Sequence, residues 1–152
     1  MNAIELLTND HETVKKLLEE LSNTTERAVK KRAELLKKIA LELEVHTTLE
    51  EEDFYPAFKQ AGARDELKMY HEAKEEHRAV ESLVLPDLLN TDPGTVEFAG
   101  RLKVLKELLE HHIEEEEQDM FQDAQKLMSK EDLTALGKQM EDKKLKLKSK
   151  AA

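Results

Sequence analysis

Apolar residues recur at alternating spacings of three and four along most of this chain, the repeat of helices that turn one face to a core. The first stripe, Ile4, Leu7, His11, Val14, Leu18 and Leu21, predicts a helix over about residues 3–22. Within it Asn9-Asp10-His11-Glu12 also reads as a capping box, so a break near Thr8 with a restart is one expectation. A long second helix is expected to run to about residue 60, with Leu35, Ile39, Leu43, His46, Glu50 and Asp53 on one face and its end bent or shortened by Pro56. A third starts near Asp65, carries Tyr70, Ala73, His77, Val80 and Val84 on its inner stripe, and stops near Pro86. Residues 90–95 form the clearest loop and lead into a fourth helix to about Met128, with Leu105, Leu109, His112, Glu116 and Met120 facing in. Ser129 is the expected N-cap of a last helix. Long amphipathic helices with short connections predict an all-α fold, an antiparallel up-down four-helix bundle. Its core spans about residues 3–128; an additional C-terminal helix and basic tail fill 129–152, and the whole chain, 1–152, forms a single domain.

Composition supports this pattern and narrows the function. Four Gly, three Pro and 38% charged residues among 152 leave little material for strands. A formal net charge of -10 argues against a nucleic-acid partner, because phosphate binding needs a basic face. The basic run Lys143 to Lys150 reads as a helix C-terminus complementing the macrodipole. No apolar run approaches the roughly 20 residues of a membrane span, and no secretory leader is evident, so no membrane partner and a cytoplasmic setting are expected. With no Cys, thiolate metal sites and disulfides are excluded.

Sliding the chain against itself by 66 residues lays His11 on His77, His46 on His112 and Glu50 on Glu116. The same shift matches Asp53 with Asp119, Phe54 with Met120, and Tyr55 with Phe121, which reads as a duplicated αα-hairpin. The last helix echoes it weakly, with Lys143 standing where a histidine would be.

Positions i and i+4 of a helix lie one above the other, so His46 with Glu50, and His112 with Glu116, each aim a nitrogen and a carboxylate at one point. His11 and His77 sit on the inner stripes of the partner helices. Burying four imidazoles and two carboxylates among aliphatic neighbours is costly unless metal ions bind them. The mixture suits iron or manganese, with zinc less favoured, and bridging carboxylates favour two ions over one. Two octahedral ions offer twelve positions. Four His, two bridging Glu and one oxo or hydroxo bridge fill ten and leave two open to a small molecule. No catalytic side chain is expected beyond the metal ligands. A lone inner histidine is more often a core residue, and one His-x-x-x-Glu pair means little; the fourfold coincidence at one shift moves the reading to metal.

Several assignments stay open on the residues alone. His111 with Glu115 competes with His112 and Glu116, though the repeat favours the latter. Asp53 and Asp119 are either hydrogen-bond partners of ligating imidazoles or members of surface ion pairs. Tyr55 and Tyr70 either pack the core or bring a hydroxyl to the open position. His71 falls on another face, toward solvent.

The ordered pattern His11, His46-x-x-x-Glu50, His77, His112-x-x-x-Glu116 resembles the hemerythrin-like family of HHE cation-binding domains over about residues 3–128. The resemblance implies a four-helix bundle around a non-haem di-iron centre, bridged by the two glutamates and an oxygen. Ala73 stands where oxygen-carrying members have a fifth histidine, and Glu116 follows His112 at four positions where they have an aspartate at five. The chain is therefore more similar to bacterial hemerythrin-like proteins that react with peroxide. The leading expectation is peroxide breakdown in oxidative-stress protection. The alternative is dioxygen, nitric oxide or iron binding or sensing without turnover. The ferritin-like arrangement needs Glu three residues before His, which none of the six histidines has.

Overall fold

Asn2 begins the first helix, its side chain accepting the Glu5 N–H at 2.9 Å while the Glu5 carboxylate accepts the Asn2 N–H at 3.2 Å. This box caps α1 (Ala3–Ser22), which runs through Thr8 and Asn9 without the expected break. The Asn9 to Glu12 string is capping chemistry in mid-helix, overridden by the continuous stripe from Ile4 to Leu21. The computed structural model describes residues 1–151, and among them every regular element is helical.

Three rods follow, each interrupted by a single wide π turn. In the first, α2 (Val29–Leu49) passes through a π turn at Glu50–Phe54 into α3 (Tyr55–Ala61). In the second, α4 (Arg64–Ala79) passes through Val80–Val84 into α5 (Leu85–Leu89). In the third, α6 (Val96–Glu115) passes through Glu116–Met120 into α7 (Phe121–Leu127). Pro56 and Pro86 each sit two residues past the end of a π turn, directly after Tyr55 and Leu85, which donate to the carbonyls of Glu50 and Val80, five residues back. The wider turn relieves the proline's clash with the preceding turn. Helix therefore continues to Ala61 and to Leu89, beyond the stop expected near Pro86. Thr95 caps α6 through the Phe98 N–H at 3.2 Å, and Ser129 caps α8 (Lys130–Ala151) through the Asp132 N–H at 3.0 Å.

The first helix and the three rods form the four-helix bundle, and α8 lies along α1 and α2. Its close approach depends on Gly137, where a methyl group would lie against the Met1 carbonyl and within 2.7 Å of the Ala3 nitrogen. Inside, two apolar layers are stacked end to end. Leu7, Leu49, Phe54, Phe58, Phe121 and Met140 belong to one, and Leu18, Ile39, Leu88, Phe98 and Leu105 to the other. His11 lies between Leu7 and Val14, and His77 between Ala73 and Val80, so each polar position falls at the junction of the layers. No described helix is long and apolar enough to cross a membrane.

Candidate metal centre

At that junction α1 supplies His11, the end of α2 supplies His46, α4 supplies His77 and α6 supplies His112. Glu50 and Glu116 are the first residues of their π turns. All six are buried, Glu50 completely. Their ligand atoms form two groups, His11, His46, Glu50 and Glu116 in one, and His77, His112, Glu50 and Glu116 in the other, each with its atoms within 4.8 Å of one another. Both carboxylates are common to the two groups. The oxygen Oε1 of Glu50 is 3.1 Å from Nε2 of His46 and 3.1 Å from Nε2 of His77. Glu116 spans the site with its two oxygens, Oε1 at 3.0 Å from His11 Nε2 and Oε2 at 3.2 Å from His112 Nε2.

Short as they are, several of these approaches lack hydrogen-bond angles. His11 Nε2, His46 Nε2, both oxygens of Glu50 and Oε1 of Glu116 are buried without a hydrogen-bond partner. Orphaned buried groups of this kind cost about 1–3 kcal/mol each, more when charged. Donor atoms that converge on shared points are what a pair of cations requires, so the residues fit metal.

Without a cation the site balances itself with protons. Burial disfavours the charged ring of His46, but the nearby Glu50 charge and the hydrogen bond to Asp10 outweigh it and raise the ring to about 10. His77 likewise overcomes burial through its close contacts with the Glu50 and Glu51 carboxylates and rises to about 9. His11 and His112 move the same way, opposed by burial and driven chiefly by Glu116. Burial alone would raise Glu116, yet its contact with Glu50 and the charge of His112 hold it well below the usual carboxylate range.

Three of the rings are also held by a hydrogen bond from behind. Nδ1 of His46 meets Asp10 at 2.9 Å, Nδ1 of His112 meets Glu76 at 2.9 Å, and Nδ1 of His11 meets Glu117 at 2.7 Å. Behind His77, Glu51 comes only within 3.5 Å of Nδ1, without a hydrogen bond. These carboxylates fix ring orientation and leave every Nε2 facing inward. The sequence reading missed all four as partners of the rings. The shift of 66 was the available signal, for it also lays Asp10 on Glu76 and Glu51 on Glu117.

Asp53 and Asp119, the carboxylates proposed for that role, do not reach an imidazole. Buried Asp53 turns outward to α8, where Lys143 Nζ is 2.9 Å away and Gln139 donates at 3.0 Å. Asp119 is exposed and lines a groove of about 460 Å³ that runs in from solvent past Glu72 and Glu76 to His112 and Glu116. His111 is exposed and pairs with Glu115 at 3.0 Å, leaving His112 as the ring that enters the site. His71 is exposed as expected.

Tyr55 brings its hydroxyl inside. It donates to Glu116 Oε2 at 2.6 Å and lies 3.2 Å from His77 Nε2, and burial together with the charges of Glu116 and Glu50 keeps it protonated. Half-buried Tyr70 packs edge-on against the Tyr55 ring, 6.1 Å between centroids. On the opposite side of the rings is a void of about 30 Å³ walled by Val14, Leu43, Val80 and Leu109.

Residues 2–124 match the model of the hemerythrin HHE cation binding domain. A crystal structure of a hemerythrin HHE cation binding domain-containing protein from Mycobacterium kansasii is similar throughout, with a TM-score of 0.86 and 28% identity over 99% of this chain and 90% of that one. Among curated proteins none matches the chain.

Proposed function

The chain belongs to the hemerythrin HHE cation-binding family, and from that premise we propose that it binds two iron ions and breaks down peroxide. One observation carries the reading: two four-donor groups share Glu50 and Glu116, and their inward atoms are buried without partners. We assign His11 and His46 to one ion, His77 and His112 to the other, and both glutamates to the bridge. Manganese and zinc are the other candidates, and the mixture of imidazoles with bridging carboxylates favours iron over zinc.

Bound iron would supply the electrons exchanged as two molecules of hydrogen peroxide become two of water and one of dioxygen. The chain supplies the surroundings. Asp10, Glu76 and Glu117 hold three of the rings, Glu51 stands behind the fourth, and Tyr55 holds a proton beside Glu116. The void beside the rings is of the order of one or two water molecules, a size that suits peroxide, dioxygen or nitric oxide. Buried Ala73, one turn before His77, contributes no fifth imidazole, which supports reaction over stable oxygen carriage.

Purified protein should carry about two irons per chain, absorb in the near ultraviolet and visible, and release dioxygen on repeated additions of peroxide. Fewer than one iron per chain would remove the di-iron reading. Two irons with slow stoichiometric bleaching and no dioxygen would favour binding or sensing without turnover. In the same assay His112→Ala should abolish the paired-iron spectrum and His111→Ala should leave it intact.

A further inference from the structure

The two halves of the site are related by the repeat, yet their surroundings carry opposite charge. Asp10, 3% exposed, accepts from His46 Nδ1 through Oδ2 and from the Lys144 ammonium through Oδ1. Its counterpart Glu76 holds His112 in the same way, at 2.9 Å, but no lysine or arginine pairs with it among the described residues. Glu76 instead groups with Glu115 and the exposed His111 on the acidic groove, with Glu72 nearby. Glu117 and Glu51, behind the other two rings, are alike in each having a lysine within reach, Lys15 and Lys74. Among the cations that back these carboxylates, the difference between the halves therefore lies at Lys144; behind the other two rings the difference is one of length, 2.7 Å from His11 to Glu117 against 3.5 Å from His77 to Glu51. Lys144 lies on α8, outside the segment that matches the family model.

A carboxylate behind a ligating imidazole makes the ring a better donor by drawing on its N–H, and an ammonium on the same carboxylate withdraws part of that effect. The ammonium also adds a like charge on the side of the incoming cation.

We propose that Lys144 is a positioning residue of the metal centre, acting through Asp10 and His46 to make the His11/His46 position the weaker of the two. The His77/His112 position, backed by Glu76 and open to the acidic groove, fills first. This inference rests on the two-ion reading above.

The test is an anaerobic calorimetric titration of metal-free protein with ferrous ion. Wild type should show two steps separated by about tenfold or more in dissociation constant. His46→Ala should remove the weaker step. Lys144→Met, which keeps the stem and removes the charge, should bring the steps together by about tenfold, and Lys144→Arg should preserve the gap. Lys148→Met is the control: it removes an equal charge from α8, where Lys148 pairs with Glu42 at 2.8 Å away from the rings, and should change nothing. Glu76→Gln leaves α8 untouched and should narrow the gap from the other side by weakening the tighter step. An unchanged gap in folded Lys144→Met, equal narrowing by Lys148→Met, or no response to Glu76→Gln overturns the proposal. No uptake at all by wild type defeats the metal-pair reading itself, a result distinct from two steps that ignore Lys144.

Discussion

Tyr55 stacks on His77 at 5.4 Å between centroids, just as Phe121, 66 residues later, stacks on His11 at 5.7 Å. The rings are equivalent and only the hydroxyl differs, so its loss is a clean test of chemistry against packing. Tyr55→Phe should retain the iron count and the fold while slowing dioxygen release from peroxide by roughly 100-fold, the lower end for loss of a placed proton donor. Equal rates would leave Tyr55 as a wall residue. The repeat made the six inward residues legible because histidines are few, six in the chain, and their coincidence at one shift is informative. With 34 acidic residues present, the coincidences of Asp10 with Glu76 and Glu51 with Glu117 carried little weight. Asp53 and Asp119 were sought along the same helix as the rings. The actual partners of His46 and His11 cross the bundle, Asp10 from α1 and Glu117 from the third π turn, and helical spacing does not encode that geometry.

At the scale of elements, helix existence followed from the apolar stripes, but the π turns did not. Two of them precede prolines, which sequence reasoning treats as stops, and the third forms with Gln122 in the place of Pro56. The π turns at Glu50 and Glu116 are exact repeats in position, and each begins at a shared carboxylate. A wide turn there lets Glu50 face the junction while Glu51 reaches the back of His77, and likewise Glu116 and Glu117 toward His11. Docking of α8 gives a prediction with a decisive sign. In a helix, Gly→Ala alone stabilises by about 0.5–1 kcal/mol. Gly100 on α6 has open space around it, so Gly100→Ala should raise the thermal midpoint. Gly137 is pressed on backbone atoms of Met1, Asn2 and Ala3 that cannot swing aside as a flexible side chain would. Gly137→Ala should therefore cost about 1–3 kcal/mol, a fall of several degrees at roughly 2–4 °C per kcal/mol for a chain of this size. Thermal melts followed by circular dichroism decide both, and a rise in the Gly137 variant would show that the α8 contact is looser than the structure has it.

For the whole molecule, proton and metal compete for the same interior. In the metal-free chain the site rings stand above their usual 6.5, His46 at about 10 and His77 at about 9. A ring raised on folding contributes stability that is full below the unfolded value of 6.5 and disappears as pH climbs through the folded value. Glu116 acts in the opposite sense: its lowered pKa contributes above the ordinary 4.5 and is lost on acidification. The metal-free protein should thus be most stable between about 4.5 and 6.5 and weaken steadily toward pH 9 to 10. Metal binding needs neutral imidazoles, so loading at pH 7 displaces protons from at least His46 and His77, and affinity rises with pH until they are gone. Stabilisation by a bound ligand follows its affinity. The thermal midpoints of loaded and metal-free protein should therefore diverge from pH 6.5 to 9, and converge below pH 6 as acid strips the metal. Paired melts at half-unit pH intervals, at constant metal concentration, would show the widening gap; parallel curves would mean that the rings are already neutral in the empty site, and that metal binding displaces no protons from them.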